Sequence, residues 1–204
     1  MFSCSSPEPE NKWQYDAAGM CLNYQKHFLE AKDLRAALDL RHARESASHS
    51  AQLKTLIDIE LTACAMELSV FSKYTCQEVS KLLELEPNKE QEAYYHLLMA
   101  QLKENEIPQL PNQYRDFAFS LLRGDTQTIN INISKMEPLS SRLVSAALAK
   151  DTIDDKNINE LIQRLSFRGY KKPLLAWMYI QMQKEEDPEE KARLRQKIKV
   201  LNSH

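Results

Sequence analysis

From Trp13 to Leu201 the apolar residues recur at steps of three and four, and no two segments alternate in a way that would supply a pair of β-strands. That rhythm restricts the chain to helices packed on helices. Composition agrees: three glycines in 204 residues, with Leu, Ala, Glu, Lys and Gln throughout, is what helices joined by short turns require.

The segments follow one another closely. Trp13 to Glu30 carries Ala17, Met20, Cys21, Tyr24 and Phe28 on one face. Asp33 is suited to cap a second helix begun by Leu34, Ala37, Leu38 and Arg41, whose small residues allow close approach to the first. LKTLIDIELTACAMELSVF bears a broad stripe of Leu53, Leu56, Ile57, Glu60, Leu61, Cys64, Ala65 and Leu68, and CQEVSKLLELE stops at Pro87. Asn88 is placed to cap EQEAYYHLLMAQLKEN, and Pro108 and Pro111 bracket a connector. YRDFAFSLLRG ends at Gly124, a natural left-handed terminus.

Asp125 then caps TQTININISKM. Ile129, Ile131 and Ile133 alternate as in a strand, yet Ile129, Ile133 and Met136 also form a helical stripe, and with no second strand to pair with, helix is expected. Pro138 opens LSSRLVSAALAK, Asp154 or Asp155 opens KNINELIQRLSF, and Gly169 precedes a helix beginning near Pro173. A last amphipathic helix presents Leu194, Ile198 and Leu201. About eleven helices are expected over residues 13–204, with successive helices as antiparallel neighbours. No helix reads as apolar all round, so a stack of helix pairs is expected in place of a bundle about one central helix.

Two places resemble the tetratricopeptide repeat family. Ala36, Leu40 and Ala43 in DLRAALDLRHAR reproduce the small-large-small spacing of that repeat's second helix, and Gly169-Tyr170 with Leu174 to Trp177 resembles its inter-helix turn. Ala31 stands near the place of the turn glycine in the first of these, and Pro173 replaces a helix-forming residue in the second. The resemblance implies an all-α, tetratricopeptide-like solenoid whose concave face holds protein partners.

The opening MFSCSSPEPEN disfavours helix and gives residues 1–12 the character of a flexible tail. Small Ser3 followed by Cys4 and a polar linker resembles the end of a bacterial lipoprotein signal, whose charged and apolar region would then precede Met1. That resemblance implies lipidation of Cys4, a periplasmic location and, from Ser5 after the cysteine, the outer membrane. The alternatives are a soluble cytoplasmic peptide-binding adaptor or chaperone and, less favoured, an all-helical enzyme acting on a small molecule.

Catalytic chemistry has little to stand on. His27, His42, His49, His96 and His204 form no HExxH and no paired metal-ligand spacing, and three glycines cannot build a phosphate loop. Cys4, Cys21, Cys64 and Cys76 lack CxxC spacing; Cys21 and Cys64 read as small core side chains, with oxidation of one pair left open. A net charge of -2 provides no footprint for nucleic acid. No stretch is apolar over the roughly 20 residues that cross a bilayer. The expectation is a non-enzymatic scaffold without cofactor, metal or small-molecule substrate, serving a larger envelope assembly through protein contacts and touching the membrane by its lipid alone. Aromatic pairs that cannot all face inward supply candidate partner contacts: Tyr94 and Tyr95, Tyr114 and Phe117, Trp177 and Tyr179.

Overall fold

The computed structural model describes residues 11–49, 53–72 and 76–203. Among the described residues there are eleven α-helices and one 3-10 helix, with no strand. The fold is all-α.

The first two helices, α1 (Lys12–Leu29) and α2 (Asp33–Ala47), form an antiparallel hairpin: Ala17 near the start of one meets Ala43 and Ala47 near the end of the other. These alanines are what allows the helices to approach. The buried stripe of α2 is Ala36, Leu40, Ala43 and Ala47, offset from the expected set; Leu34 is 91% and Leu38 44% exposed. The residues that carry the repeat-like spacing are therefore the ones that pack.

Next come α3 (Lys54–Ser69), α4 (Gln77–Leu85) and α5 (Lys89–Leu98). In α3, Ile57, Ile59, Glu60, Leu61, Ala63, Cys64, Ala65, Met66 and Ser69 are all buried, a band that wraps most of its circumference. It packs against α1, α2, α4, α5 and α8, so a central helix exists after all. The sequence reading missed it because the stripe it assigned left out Ile59, Ala63, Met66 and Ser69, which complete the band; within the stripe, Arg44 binds the Glu60 carboxylate with two hydrogen bonds, at 2.5 and 2.7 Å. Cys64 of α3 and Cys76 at the entry to α4 form a disulfide with Cα atoms 5.4 Å apart.

Asn88 caps α5 through its side chain, as expected, accepting from the amides of Glu90 and Gln91. The helix then stops at Leu98, well short of Asn105. Ala100 turns left-handed at φ 55°, and the Gln101 amide donates to the His96 carbonyl at 2.8 Å, a Schellman closure made without glycine. Ala31 after α1 and Phe71 after α3 do the same, with Lys32 N–H to His27 at 2.8 Å and Ser72 N–H to Glu67 at 3.0 Å. The proline-flanked connector contains a 3-10 helix, Glu104–Gln109.

The remainder is α6 (Asn112–Arg123), α7 (Thr126–Lys135), α8 (Leu139–Leu148), α9 (Asp155–Arg168), α10 (Lys171–Lys184) and α11 (Pro188–Ser203). Gly124 and Gly169 take the left-handed termini expected of them, at φ 66° and 68°. The α6/α7 and α9/α10 pairs fold back about these glycines, shown by Asn132 bonded to Asp116 and Gln181 bonded to Asn159. Ile129 and Ile133 are buried while Ile131 is 41% exposed, the helical outcome for the ambiguous segment. Pro173 falls in the first turn of α10, where its missing N–H has no helical partner to lose.

Two buried asparagines lock α7 to α9. Asn130 donates to the Thr126 and Thr152 carbonyls and accepts from the Asp154 amide, and Asn157 donates to Asn130 and Asp154. Arg142 of α8, fully buried, joins this network through Asn157 at 3.1 Å and Glu160 at 2.6 Å. At the other end, Lys172 of α10 lies 4.0 Å from the Phe28 ring centre and 2.7 Å from the Asp33 carboxylate, clasping the α1/α2 turn. An open stack in which each pair touches only its neighbours would bring neither α1 to α10 nor α3 to α8.

Candidate functional site

Of the six aromatic candidates, three are in the core. Phe117 and Trp177 are wholly buried, so no partner reaches them in this fold, and Tyr114 is 4% exposed. In the α6 and α10 sets the exposed members are Phe119, at 40%, and Tyr179, at 41%. Phe119 instead lies under the Arg123 guanidinium, 3.8 Å from its ring centre. Tyr94 and Tyr95 are both half-buried. Tyr95 faces the His96 ring, which hydrogen-bonds Glu106 at 2.8 Å. Cys4 lies outside the described residues.

Tyr94 and Tyr114 come together. Their rings stand 5.2 Å apart at a 41° tilt, and their hydroxyls share a hydrogen bond of 3.2 Å. They form one wall of a cleft of about 150 Å³, completed by Gln25, Thr62, Ala65, Met66, Ser140 and Val144. Five helices contribute: α1, α3, α5, α6 and α8. Each delivers a hydroxyl or amide from a helical face that is otherwise apolar, so the polar groups meet over a floor of Ala65, Met66 and Val144. Such a space is smaller than an ordinary ligand pocket and matches a single side chain.

One turn before Thr62 on α3 stands Asp58, outside the cleft lining. That carboxylate accepts from the Gln91 amide at 2.6 Å, and the same amide nitrogen donates to the Lys54 carbonyl at 2.9 Å. Surrounding protein raises the Asp58 carboxyl above its usual range, with the Gln91 bond opposing in part. Gln91 Oε1 is buried and has no partner among the described residues. On the α1 side, burial pushes the Cys21 thiol up, outweighing its hydrogen bonds with Thr62 and Gln25. A thiol held that way is protonated at neutral pH and is a weak nucleophile. Burial likewise keeps the phenols of Tyr94 and Tyr114 neutral. The lining is therefore a set of neutral donors and acceptors fixed by packed helices, suited to hydrogen bonding more than to proton transfer. Among the described residues no group of three or more His, Cys, Asp or Glu is arranged to hold a metal ion.

No local motif announces this cleft, since its residues run from Gln25 to Val144 and converge only once the helices pack. Tyr94 and Tyr114, two of the aromatic candidates, were the signals within it. Comparison of the chain with protein-family models, with curated proteins and with solved structures finds no match in any of the three. No helix among the described residues is long and apolar enough to cross a membrane.

Proposed function

We propose that this protein is a non-enzymatic helical adaptor that holds a side chain of a protein partner in the cleft between α1, α3, α5, α6 and α8, as part of a larger envelope assembly. The observation that carries this reading is the convergence of hydroxyl and amide groups from five helices on one small recess. Fixed polar groups over an apolar floor select an inserted side chain by hydrogen bonding, and a frame of packed helices keeps them in place.

The proposal extends to location: a bacterial periplasmic protein held to the outer membrane by a lipid on Cys4. The Cys64–Cys76 disulfide supports an oxidising compartment, which favours this over a cytoplasmic adaptor. Two measurements test the reading. Intact mass of the protein from its native host should give a lipid-modified cysteine as first residue; an unmodified chain retaining Met1 refutes the anchor. A photo-crosslinking residue placed in cells at Gln25 or Ser140 should capture one and the same partner, and one placed at exposed Glu84 should not. Capture from all three positions, or from none, refutes the cleft.

A further inference from the structure

A second surface lies at the far end of the molecule. Helix α11 rests on α10 through Met178, Leu194 and Ile198, a small apolar cluster separate from the main core. It does not close against α9. Between them remains an open groove of about 560 Å³, floored by Leu174 and Met178, with Ile162 on one wall and Val200 and Leu201 on the other. Val200 is 60% exposed, an apolar side chain left in water where a lysine or glutamate would serve a solvated helix.

The rim is cationic. Arg193 and Lys197 stand one helical turn apart along it. Arg193 has a partner in its own helix, Glu190 at 2.9 Å, while Lys197 has none among the described residues. The Glu190 pair gives Arg193 a role within the helix, but neither such a pair nor the helix dipole accounts for Lys197, since the last turn of α11 has no basic residue. The side chains of Arg195 and Lys199 border a different recess beside Tyr179. The groove thus offers a short apolar track beside two cations spaced by one turn, and the acidic segment Glu185–Glu190 that precedes them in the chain reaches Arg193 through Glu190.

We propose that this groove docks an amphipathic helix of a protein partner, with apolar residues at three- and four-residue spacing and Asp or Glu four apart facing Arg193 and Lys197. Helices bind grooves in this manner, and methionine in the floor adapts to side chains of different shape. A flat anionic membrane suits the site less well, because it would meet the Glu185–Glu190 carboxylates together with the cations, and two flanking cations fall short of the clusters that hold such surfaces. This surface is separate from the central cleft, and its test stands whether or not the cleft binds anything.

The probe is a fluorescein-labelled synthetic helix with leucines at that spacing flanked by glutamates, followed by anisotropy against the full chain. Saturable binding is expected, weakened at least about tenfold by Val200→Glu and by Lys197→Glu. A lysine-flanked version should bind the Arg193→Glu/Lys197→Glu variant better than it binds the wild type. All three sites are on the exposed side of α11, and far-UV circular dichroism checks that the variants keep their helices. Four results would each overturn the proposal: no saturable binding, equal binding to wild type and variants, preference for phosphatidylglycerol vesicles over the peptide, or self-association that Val200→Glu abolishes.

Discussion

Arg142 makes the most demanding test of how this core is held. Its side chain is fully buried, with one nitrogen bonded to Asn157 and Glu160 and with Nε and Nη1 lacking partners among the described residues. Truncating Glu160 to alanine leaves that cation buried with a single neutral acceptor. The cost should be about 3 kcal/mol, the low end of the range for stripping one partner from a buried pair, because Glu160 is itself 37% exposed. Replacing Arg142 by methionine removes the charge together with its two idle N–H groups, each of which costs roughly 1–3 kcal/mol while buried and unpaired. Lost against that are the bonds to Asn157 and Glu160, so Arg142→Met should lie within about 1 kcal/mol of wild type. The double variant should match Arg142→Met, leaving a coupling of roughly 2–3 kcal/mol. Urea unfolding at neutral pH reads all four corners: with a slope of about 2 kcal/mol per molar, Glu160→Ala should lower the midpoint by about 1.5 M and Arg142→Met by less than about 0.5 M. The pH dependence gives a second reading. The hydrogen bond from Arg142 holds the Glu160 carboxyl below its ordinary value of 4.5. The stability it contributes is therefore complete above that pH and lost as pH falls through the lower folded value, and Arg142→Met should remove this part of the acid sensitivity. The reasoning fails if Arg142→Met damages the protein as much as Glu160→Ala does.

Two further outcomes follow from the backbone and the disulfide. Ala31→Gly and Ala100→Gly should each stabilise by roughly 0.5–1 kcal/mol, since a left-handed alanine costs about 1–2 kcal/mol and glycine's added unfolded-state entropy returns only part of it; a fall in melting temperature for either would contradict the assigned turn. Reducing Cys64–Cys76, whose residues are 12 apart in sequence, should cost about 3 kcal/mol by freeing the unfolded chain; equal denaturation midpoints with and without dithiothreitol would show that the bond does not constrain it.

Most of the helix order could be read from the chain because its punctuation is chemical. Asn88, Asp125 and Asp154 accept from the amides that a cap should satisfy, and Gly124 and Gly169 sit where only a left-handed residue closes the turn. Where the same turn is made by Ala31, Phe71 or Ala100, no residue type marks it, and the helix through Tyr94 was accordingly read too long. Buried polar residues were lost for a related reason. Periodicity assigns Asn130, Arg142 and Asn157 to solvent, and only tertiary partners such as Glu160 make their burial tolerable. Adjacent aromatics reveal that one member faces outward without revealing which; Phe119 and Tyr179 face out, Phe117 and Trp177 do not. The central cleft has no sequence signature beyond Tyr94 and Tyr114, because long-range packing alone assembles it.

The clasp of Lys172 over Phe28 and Asp33 has a consequence for how such a chain can change in length. Linear arrays grow or shrink by whole units, because each unit answers only to the next. Here the residue that opens α2 is held by the helix next to last in the chain, so inserting or deleting a helix pair between them would rotate Lys172 away from both partners. A helix pair added or lost between α2 and α10 would therefore break this contact. Adaptation to a longer partner would have to come by lengthening loops or by adding helices beyond α11, where the chain meets no such constraint.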